Sequence, residues 1–241
     1  MGRFVRLVLI VSLLASAVQA FSTPGPAEAA EAGASANGAS LMSSVSADAR
    51  FVAFASEASN LIWRDTNGAW DIFVRDRLLP RVFRVSVSSL GGEAHGPSLL
   101  PSLSSDGRRV AFSSLASNLA EGDSNGTWDI FVRDLPSGIT IRASVDSSGS
   151  EGREPSAYPA ISADGWHVAF SHGRSGVGEI YVRDLLRGTT TLVSAPAGGA
   201  SPNGQSEHPS ISAEGRYVAY SSLTSDLVEG DRNGAGDVFV F

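Results

Sequence analysis

A loop with a repeated arrangement of oxygen-bearing side chains is the strongest chemical signal in the sequence. An aspartate is followed two residues later by an asparagine, then by a glycine, and then by a second aspartate four residues after the asparagine. Ca²⁺ takes about six to eight oxygen ligands, and a glycine often makes the sharp bend of its binding loops. The spacing therefore predicts calcium sites in three copies of the loop, with the ligands Asp65, Asn67 and Asp71; Asp123, Asn125 and Asp129; and Asp231, Asn233 and Asp237.

The same loops have a second interpretation that needs no metal. Asn-Gly is a favoured hairpin turn, because glycine accepts a positive φ, and the flanking aspartates can cap the turn. Each loop supplies three side chains, fewer than a full calcium loop. In one further copy of the surrounding sequence, residues 172–178 replace the loop, which is eight residues shorter there. The loop is thus an addition to the core, and both interpretations stay open.

These loops lie inside a longer unit that occurs four times. Its first landmark is an acidic turn residue followed closely by Val-Ala-Phe or Val-Ala-Tyr, with the acidic residue at Asp48, Asp106, Asp164 and Glu214. Its second landmark is Asp-Ile-Phe-Val-Arg-Asp or a close variant, beginning at Asp71, Asp129, Glu179 and Asp237. Two landmarks that recur together indicate a repeat architecture.

Each unit predicts up to four short β-strands, which must bring the loops into position. Strand centres such as Val110-Ala111-Phe112 and Ile130-Phe131-Val132 are apolar at consecutive positions. Since successive strand residues point to opposite faces, both faces of each small sheet are apolar and need cover. Sheets stacked face to face around an axis meet this need. The sequence therefore predicts an all-β fold, a β-propeller of four-stranded antiparallel blades with about four repeats, the last incomplete.

The repeats occupy residues 41–100, 101–158, 159–208 and 209–241. Their two landmarks resemble the TolB-like, WD-like propeller repeats of bacterial exported proteins. The resemblance covers residues 41–241 and is specific for the fold. It implies little about activity, because such repeats occur in binding proteins, in envelope complexes and as accessory domains of enzymes.

The first 20 residues predict a secretory signal peptide. Arg3 and Arg6 precede an apolar run that ends at Val18, and small residues follow up to Ala20. The run is shorter than the roughly 20 residues that a membrane span needs. We therefore expect an exported protein, periplasmic or extracellular, with no transmembrane segment after cleavage. Residues 21–40 are rich in Ala, Gly, Ser and Pro and predict a flexible leader.

Composition excludes several function classes. The 241 residues contain no cysteine, which excludes a disulfide scaffold, thiolate zinc sites, iron–sulfur ligation and a cysteine nucleophile. The formal net charge of −7 argues against nucleic acid as a partner, since nucleic-acid binding needs a basic surface.

The recurring residues are of turn, core or loop types, with no acid–base group gathered in one place. This favours a non-catalytic module that binds a protein or a glycan and that calcium stabilises. The alternative is a propeller-type glycan hydrolase or lyase with a site in the axial channel, where His95, Tyr158 and His208 are candidates. The fourth copy ends at Phe241, before a fourth strand. We therefore also expect either self-association through the open last blade or a truncated remnant of a larger propeller protein.

Overall fold

The structure, a computed structural model, describes residues 35–79, 81–174, 177–196 and 202–241. Within these ranges the chain forms fifteen β-strands in four antiparallel sheets, and it forms no helix. The predicted signal peptide and most of the predicted leader lie outside the described residues. Nowhere in the described part of the chain is there a helix long and apolar enough to span a membrane.

The strands pair in chain order, so each sheet is a simple meander. Three sheets have four strands and the last has three, which confirms the predicted all-β propeller with an incomplete fourth blade. Blade 1 contains β1 (Ser40–Val45), β2 (Phe51–Ser56), β3 (Asp71–Asp76) and β4 (Arg81–Arg84); blade 2 contains β5 (Ser98–Leu103), β6 (Arg109–Ser114), β7 (Asp129–Asp134) and β8 (Ile139–Arg142); blade 3 contains β9 (Ser156–Ile161), β10 (His167–Arg174), β11 (Val177–Asp184) and β12 (Thr189–Leu192); blade 4 contains β13 (Ser206–Ile211), β14 (Val218–Ser222) and β15 (Asp237–Val240).

A bulge bends the first strand of every blade at the same place. The pairing between first and second strands shifts there by one residue. The bulged residues adopt a left-handed backbone with φ between 53° and 57°, at Met42, Leu100, Tyr158 and His208. In blades 2 to 4 a proline follows the bulged residue, and proline suits this position because a bulge leaves one residue out of the hydrogen-bond ladder. Each of these three strands therefore includes residues on both sides of the bulge, and it begins three residues before its proline, at Ser98, Ser156 and Ser206.

The acidic turn between the first and second strands also links neighbouring blades. In blade 2, the Ser104 hydroxyl donates to Asp106 Oδ1 at 2.7 Å, and Gly107 adopts the φ of 71° that the turn requires. The N–H of Ala47 in blade 1 donates to the carbonyl of Ser105 at 2.8 Å. The N–H of Ser105 donates in turn to the carbonyl of Ala163 in blade 3 at 3.0 Å. Hydrogen bonds between turns therefore hold the first three blades in series.

The apolar core lies between the blades. On the side of blade 2 that faces blade 1, Phe112 and Phe131 are fully buried, with ring centroids 6.0 Å apart. On the opposite side, Ile130 and Val132 are buried against blade 3, on Ile161, Val168 and Phe170. This confirms that both faces of a blade are apolar and covered.

Blade 4 has the same two faces, but only one of them is covered by the described residues. Its inner face packs on blade 3. On its outer face, Val238 and Val240 occupy the positions that Ile130 and Val132 hold in blade 2, and they are 74% and 69% exposed. The same residue types are thus buried where a neighbouring blade covers them and exposed where no described residue does.

Candidate functional site

The predicted calcium loop of blade 1 encloses an arginine. Arg84, the last residue of β4, places its Nη1 3.2 Å from Asp65 Oδ1 and 3.1 Å from Asp71 Oδ2. Its Nη2 lies 2.8 Å from an oxygen of Glu93, on the loop after β4. The side chains of Arg84, Asp65 and Asp71 are less than a tenth exposed. The guanidinium is therefore the cation of this buried cluster.

Further hydrogen bonds tie the loop to the strands on either side. The Ser86 hydroxyl donates to Asp71 Oδ1 at 2.5 Å and accepts the N–H of Ile72 at 3.0 Å. The Asn67 side chain donates to Asp71 Oδ2 at 2.8 Å, and its Oδ1 accepts the N–H of Ala69 at 3.0 Å. The Asn-Gly turn of the second sequence interpretation is present, with a φ of 62° at its glycine.

Blade 2 repeats the cluster with equivalent residues. Arg142 Nη1 lies 2.6 Å from Glu151, 3.4 Å from Asp123 and 3.8 Å from Asp129. The Ser144 hydroxyl donates to Asp129 Oδ1 at 2.5 Å. Each cluster thus sets three carboxylates against one guanidinium. Because equivalent residues form this arrangement in both blades, it is a feature of the repeated unit.

Burial and hydrogen bonding shift the carboxyl pKa values of these clusters in opposite directions. Burial, together with the neighbouring Asp129, raises the pKa of Asp123 to about 6. Burial also raises the pKa of Asp65, Asp71 and Asp129. In contrast, hydrogen bonds from Ser124, with Arg142 nearby, lower the pKa of Glu151 to about 2. The glutamate is therefore the most strongly ionised member of the blade 2 cluster.

The oxygen atoms predicted as calcium ligands in blades 1 and 2 already accept hydrogen bonds. Asp71 accepts from Ser86, Asn67 and Arg84, while the Asn67 oxygen accepts from the backbone. To bind Ca²⁺, the aspartates of each loop would have to release the arginine that they pair with, Arg84 or Arg142. Among the described residues, no group of three His, Asp or Glu side chains is placed to hold a metal ion. The donor sets of these two loops therefore fit the guanidinium better than they fit Ca²⁺.

The third loop, in blade 4, is built like the other two but has no arginine between its carboxylates. The arginine within its own sequence, Arg232, is exposed and forms no ion pair among the described residues. The Asn233 side chain donates to Asp237 Oδ2 at 2.9 Å and accepts the N–H of Ala235 at 2.7 Å. The N–H of Asn233 donates to Asp231 at 3.3 Å. Within residues 202–241 and the other described ranges, no arginine or serine side chain reaches these carboxylates.

Blade 3 lacks the loop, and its second and third strands differ accordingly. His172 and Tyr181 take the places that Ser114 and Phe131 have in blade 2, and they line a cavity of about 200 Å³ between blades 2 and 3. His172 Nδ1 lies 3.0 Å from the Ser156 hydroxyl, and burial lowers its pKa. At the position of Arg142 this blade has Leu192. The arginine and the acidic loop are therefore present together or absent together in blades 1 to 3.

The structure brings together two of the three candidates for an axial site. The rings of Tyr158 and His208 lie with their centroids 4.2 Å apart, and both residues occupy the bulge of a first strand. His95 lies on the loop before β5, where its N–H donates to Asn118. No ring contact joins it to the other two in the described part of the chain. The enzymatic alternative stays a prediction.

Sequence reasoning missed the arginine, serine and glutamate partners of the acidic loops. The signal for them was Arg-x-Ser at residues 84–86 and 142–144, with a glutamate nine residues after each arginine. The third copy has Leu192 and Ser194 at the equivalent positions and no acidic loop. Comparing the copies with and without the loop would have linked the arginine to the loop.

Solved structures with the same fold identify the architecture. A protein described as TolB from Agrobacterium tumefaciens superposes with a TM-score of 0.52 at 17% sequence identity, over 81% of this chain and 58% of that one. The fold is a TolB-like β-propeller. The propeller domain of the Trilobed protease from Pyrococcus furiosus, which has an open velcro topology, matches with a TM-score of 0.50 at 10% identity, over 85% of this chain and 54% of that one. A structure of prolyl endopeptidases matches with a TM-score of 0.50 at 15% identity, over 84% of this chain and 26% of that one.

These likenesses concern the fold alone, since all three identities are low. This chain spans little more than half the length of the first two proteins and about a quarter of the third. No protein-family model matches the sequence, and no curated protein matches it.

The opposite pKa shifts in the blade 2 cluster predict opposite effects of two neutral substitutions. The raised pKa of Asp123 means that the folded state holds its proton more tightly, so its contribution to stability is lost as the pH rises from about 4 to 6. Asp123→Asn should therefore stabilise the fold above pH 6, and the gain should vanish below pH 4. The lowered pKa of Glu151 means that Glu151→Gln should destabilise the fold above pH 4.5, and the loss should vanish toward pH 2.

Urea unfolding between pH 2 and pH 8, in the presence of a chelator, measures both effects. Glu121→Gln, on the exposed surface of the same loop, is the control and should leave the pH profile unchanged. If both cluster substitutions changed stability in the same direction at pH 8, the assigned pKa shifts would be wrong.

Proposed function

We propose that the chain is an exported, non-catalytic β-propeller module that binds a protein partner through the outer face of blade 4, and that a second copy of the chain is one such partner. The predicted signal peptide supports export. The TolB-like fold supports an interaction role, since propellers offer broad surfaces on a rigid frame. The exposed apolar face of blade 4 carries the proposal.

The outer face of blade 4 repeats a surface that is buried elsewhere in the molecule. Ala219 and Val240 are paired across β14 and β15, as are Ser221 and Val238. The equivalent residues of blade 2 are Ala111, Ser113, Ile130 and Val132, and each is at most 2% exposed beneath blade 3. Large exposed apolar patches on a folded protein mark interaction surfaces.

Blade 1 carries a surface of the kind that would cover this face. In blade 3 the covering residues are Ile161, Val168 and Phe170. Blade 1 has Val45, Val52 and Phe54 at these positions in the repeat. Val45 is 57% exposed, while the other two are half-buried. Blade 1 of one copy can therefore pack on blade 4 of another as blade 3 packs on blade 2.

Cross-complementation of two variants tests this proposal. Val45→Glu and Val240→Glu each place a charge on one of the two complementary surfaces, so each variant alone should sediment as a monomer where the wild type associates. A mixture of the two should associate again, because it retains one intact pair of surfaces, and it should do so more weakly than the wild type. Leu186→Glu is the control, since Leu186 is exposed on blade 3 away from both surfaces.

Two results would contradict the proposal. One is a wild-type chain that stays monomeric across the micromolar range and captures no protein on an affinity column. The other is a mixture of the two variants that stays monomeric while each variant remains folded by circular dichroism.

In this proposal, calcium is a ligand of the blade 4 loop alone, with Asp231, Asn233 and Asp237 as donors. The support is that no arginine is paired with the carboxylates of this loop among the described residues, since Arg232 is exposed, whereas an arginine is paired with the carboxylates of each of the loops of blades 1 and 2. Calcium at 10 to 100 times its dissociation constant should raise the free energy of unfolding by about 1–3 kcal/mol. Asp237→Asn should abolish this rise and Asp129→Asn should not. Thermal unfolding with calcium and with a chelator measures the effect, and equal stability in both conditions would exclude calcium.

A further inference from the structure

The outer edge of blade 4 has a feature that no other blade has. In the described residues, β15 pairs with β14 on one side and with no strand on the other. In blades 1 to 3 the corresponding edge of the third strand is covered by β4, β8 or β12. Among the described residues, blade 4 thus combines an open strand edge with an acidic loop that lacks the arginine which a fourth strand supplies in blades 1 and 2.

The covered edges show how a fourth strand is held. The N–H groups of Val85, Ala143 and Val193, at the end of each fourth strand, donate to the carbonyl groups of Ile72, Ile130 and Ile180 at 2.7–2.8 Å. The N–H of the same isoleucine donates back to the hydroxyl of the next residue, which is Ser86, Ser144 or Ser194, at 2.9–3.0 Å. In all three four-stranded blades, an apolar residue followed by serine therefore forms hydrogen bonds between the fourth strand and the third.

The residue before that pair depends on the loop. In blades 1 and 2, which have the acidic loop, this residue is Arg84 or Arg142, paired with the loop carboxylates. In blade 3, which lacks the loop, it is Leu192. The loop and the arginine form one unit. In both blades, three buried or half-buried carboxylates lie around one arginine from the strand on the outer edge.

We propose that the open edge of β15 binds an extended segment of another polypeptide, antiparallel to β15, with the pattern Arg-(Val or Ala)-Ser. This inference rests on the proposed function, since it names the chemistry of a protein partner of blade 4. The arginine pairs with Asp231 and Asp237, as Arg142 pairs with Asp123 and Asp129. The serine hydroxyl donates to Asp237 and accepts the N–H of Val238. The middle residue donates its N–H to the carbonyl of Val238.

Charge and geometry both select this occupant. The loop presents two carboxylates beside a strand edge whose N–H and C=O groups pair with no strand among the described residues and can form a ladder. An arginine that lies across both carboxylates forms charge-assisted hydrogen bonds, which are stronger than neutral ones. An extended segment without arginine would form the ladder but leave the carboxylates of Asp231 and Asp237 without a paired guanidinium, so it should bind more weakly.

The chain itself supplies the probe for the test. A peptide with the sequence of residues 138–145, which contains Arg142, Ala143 and Ser144, copies the fourth strand of blade 2. Fluorescence anisotropy of the labelled peptide with the full chain should show saturable binding in the presence of a chelator, because calcium and the peptide arginine would compete for Asp231 and Asp237. Peptides that carry Arg142→Met or Ser144→Ala should bind at least about tenfold more weakly, since each loses a hydrogen bond to a charged group.

A double-mutant cycle locates the arginine. On the Asp237→Asn chain, the ratio between the affinities of the unmodified and the Arg142→Met peptides should fall toward one. On the Asp129→Asn chain, whose loop already holds an arginine, the ratio should stay as in the wild type. Equal affinity of the two peptides for the wild-type chain would overturn the proposal. An unchanged ratio on a folded Asp237→Asn chain would also overturn it.

The Val45→Glu chain separates this inference from self-association. It leaves blade 4 intact, so the peptide should bind it as tightly as it binds the wild type. Binding to Val45→Glu but not to an associated wild type would show that a second copy occupies the edge, and would overturn the proposal of a separate partner. Peptide binding to a wild type that never associates would support the edge site while the self-association proposal fails.

Discussion

Everything in this structure depends on one constraint: each blade is a small sheet with an apolar residue on both faces of its central strands. Phe112 and Phe131 are buried against blade 1, and Ile130 and Val132 are buried against blade 3. No blade can bury its own core, so stability comes from stacking, as in other repeat proteins. The same constraint makes the exposed face of blade 4 the surface that we propose for binding, because Val238 and Val240 lie at positions that are buried in blades 1 and 2.

A second constraint is electrostatic. The loops of blades 1 and 2 bury carboxylates, and an ion buried without a partner is strongly unfavourable. Arg84 and Arg142, from the fourth strand, form ion pairs with these carboxylates, and Ser86 and Ser144 donate further hydrogen bonds to them. Loop and strand therefore stabilise each other across the sheet. This coupling explains why blade 3 can lack both together, whereas blade 4 has the loop without a paired arginine among the described residues.

Much of the fold could be predicted from the sequence, because consecutive apolar residues such as Val110-Ala111-Phe112 require cover on two faces and recur with the turn residues. The bulge could not, since nothing local distinguishes Leu100-Pro101 within a strand from a strand that starts at its proline. The carboxylates of the candidate site could be predicted from their spacing. Their arginine partner could not be predicted from one copy, because Arg84 lies 19 residues from Asp65 and meets it only through the register of β3 and β4.

Native-state hydrogen exchange tests the stacking constraint most directly. Strands β6 and β14 are both central, with a paired neighbour on each side, and they differ in whether their blade is covered on one face or two. In the monomeric chain, the amides of Ala219 and Ser221 in β14 should exchange at least about tenfold faster than those of Ala111 and Ser113 in β6. Exchange at equal rates in the two strands would mean that each blade is stable without its neighbours, and would contradict the account.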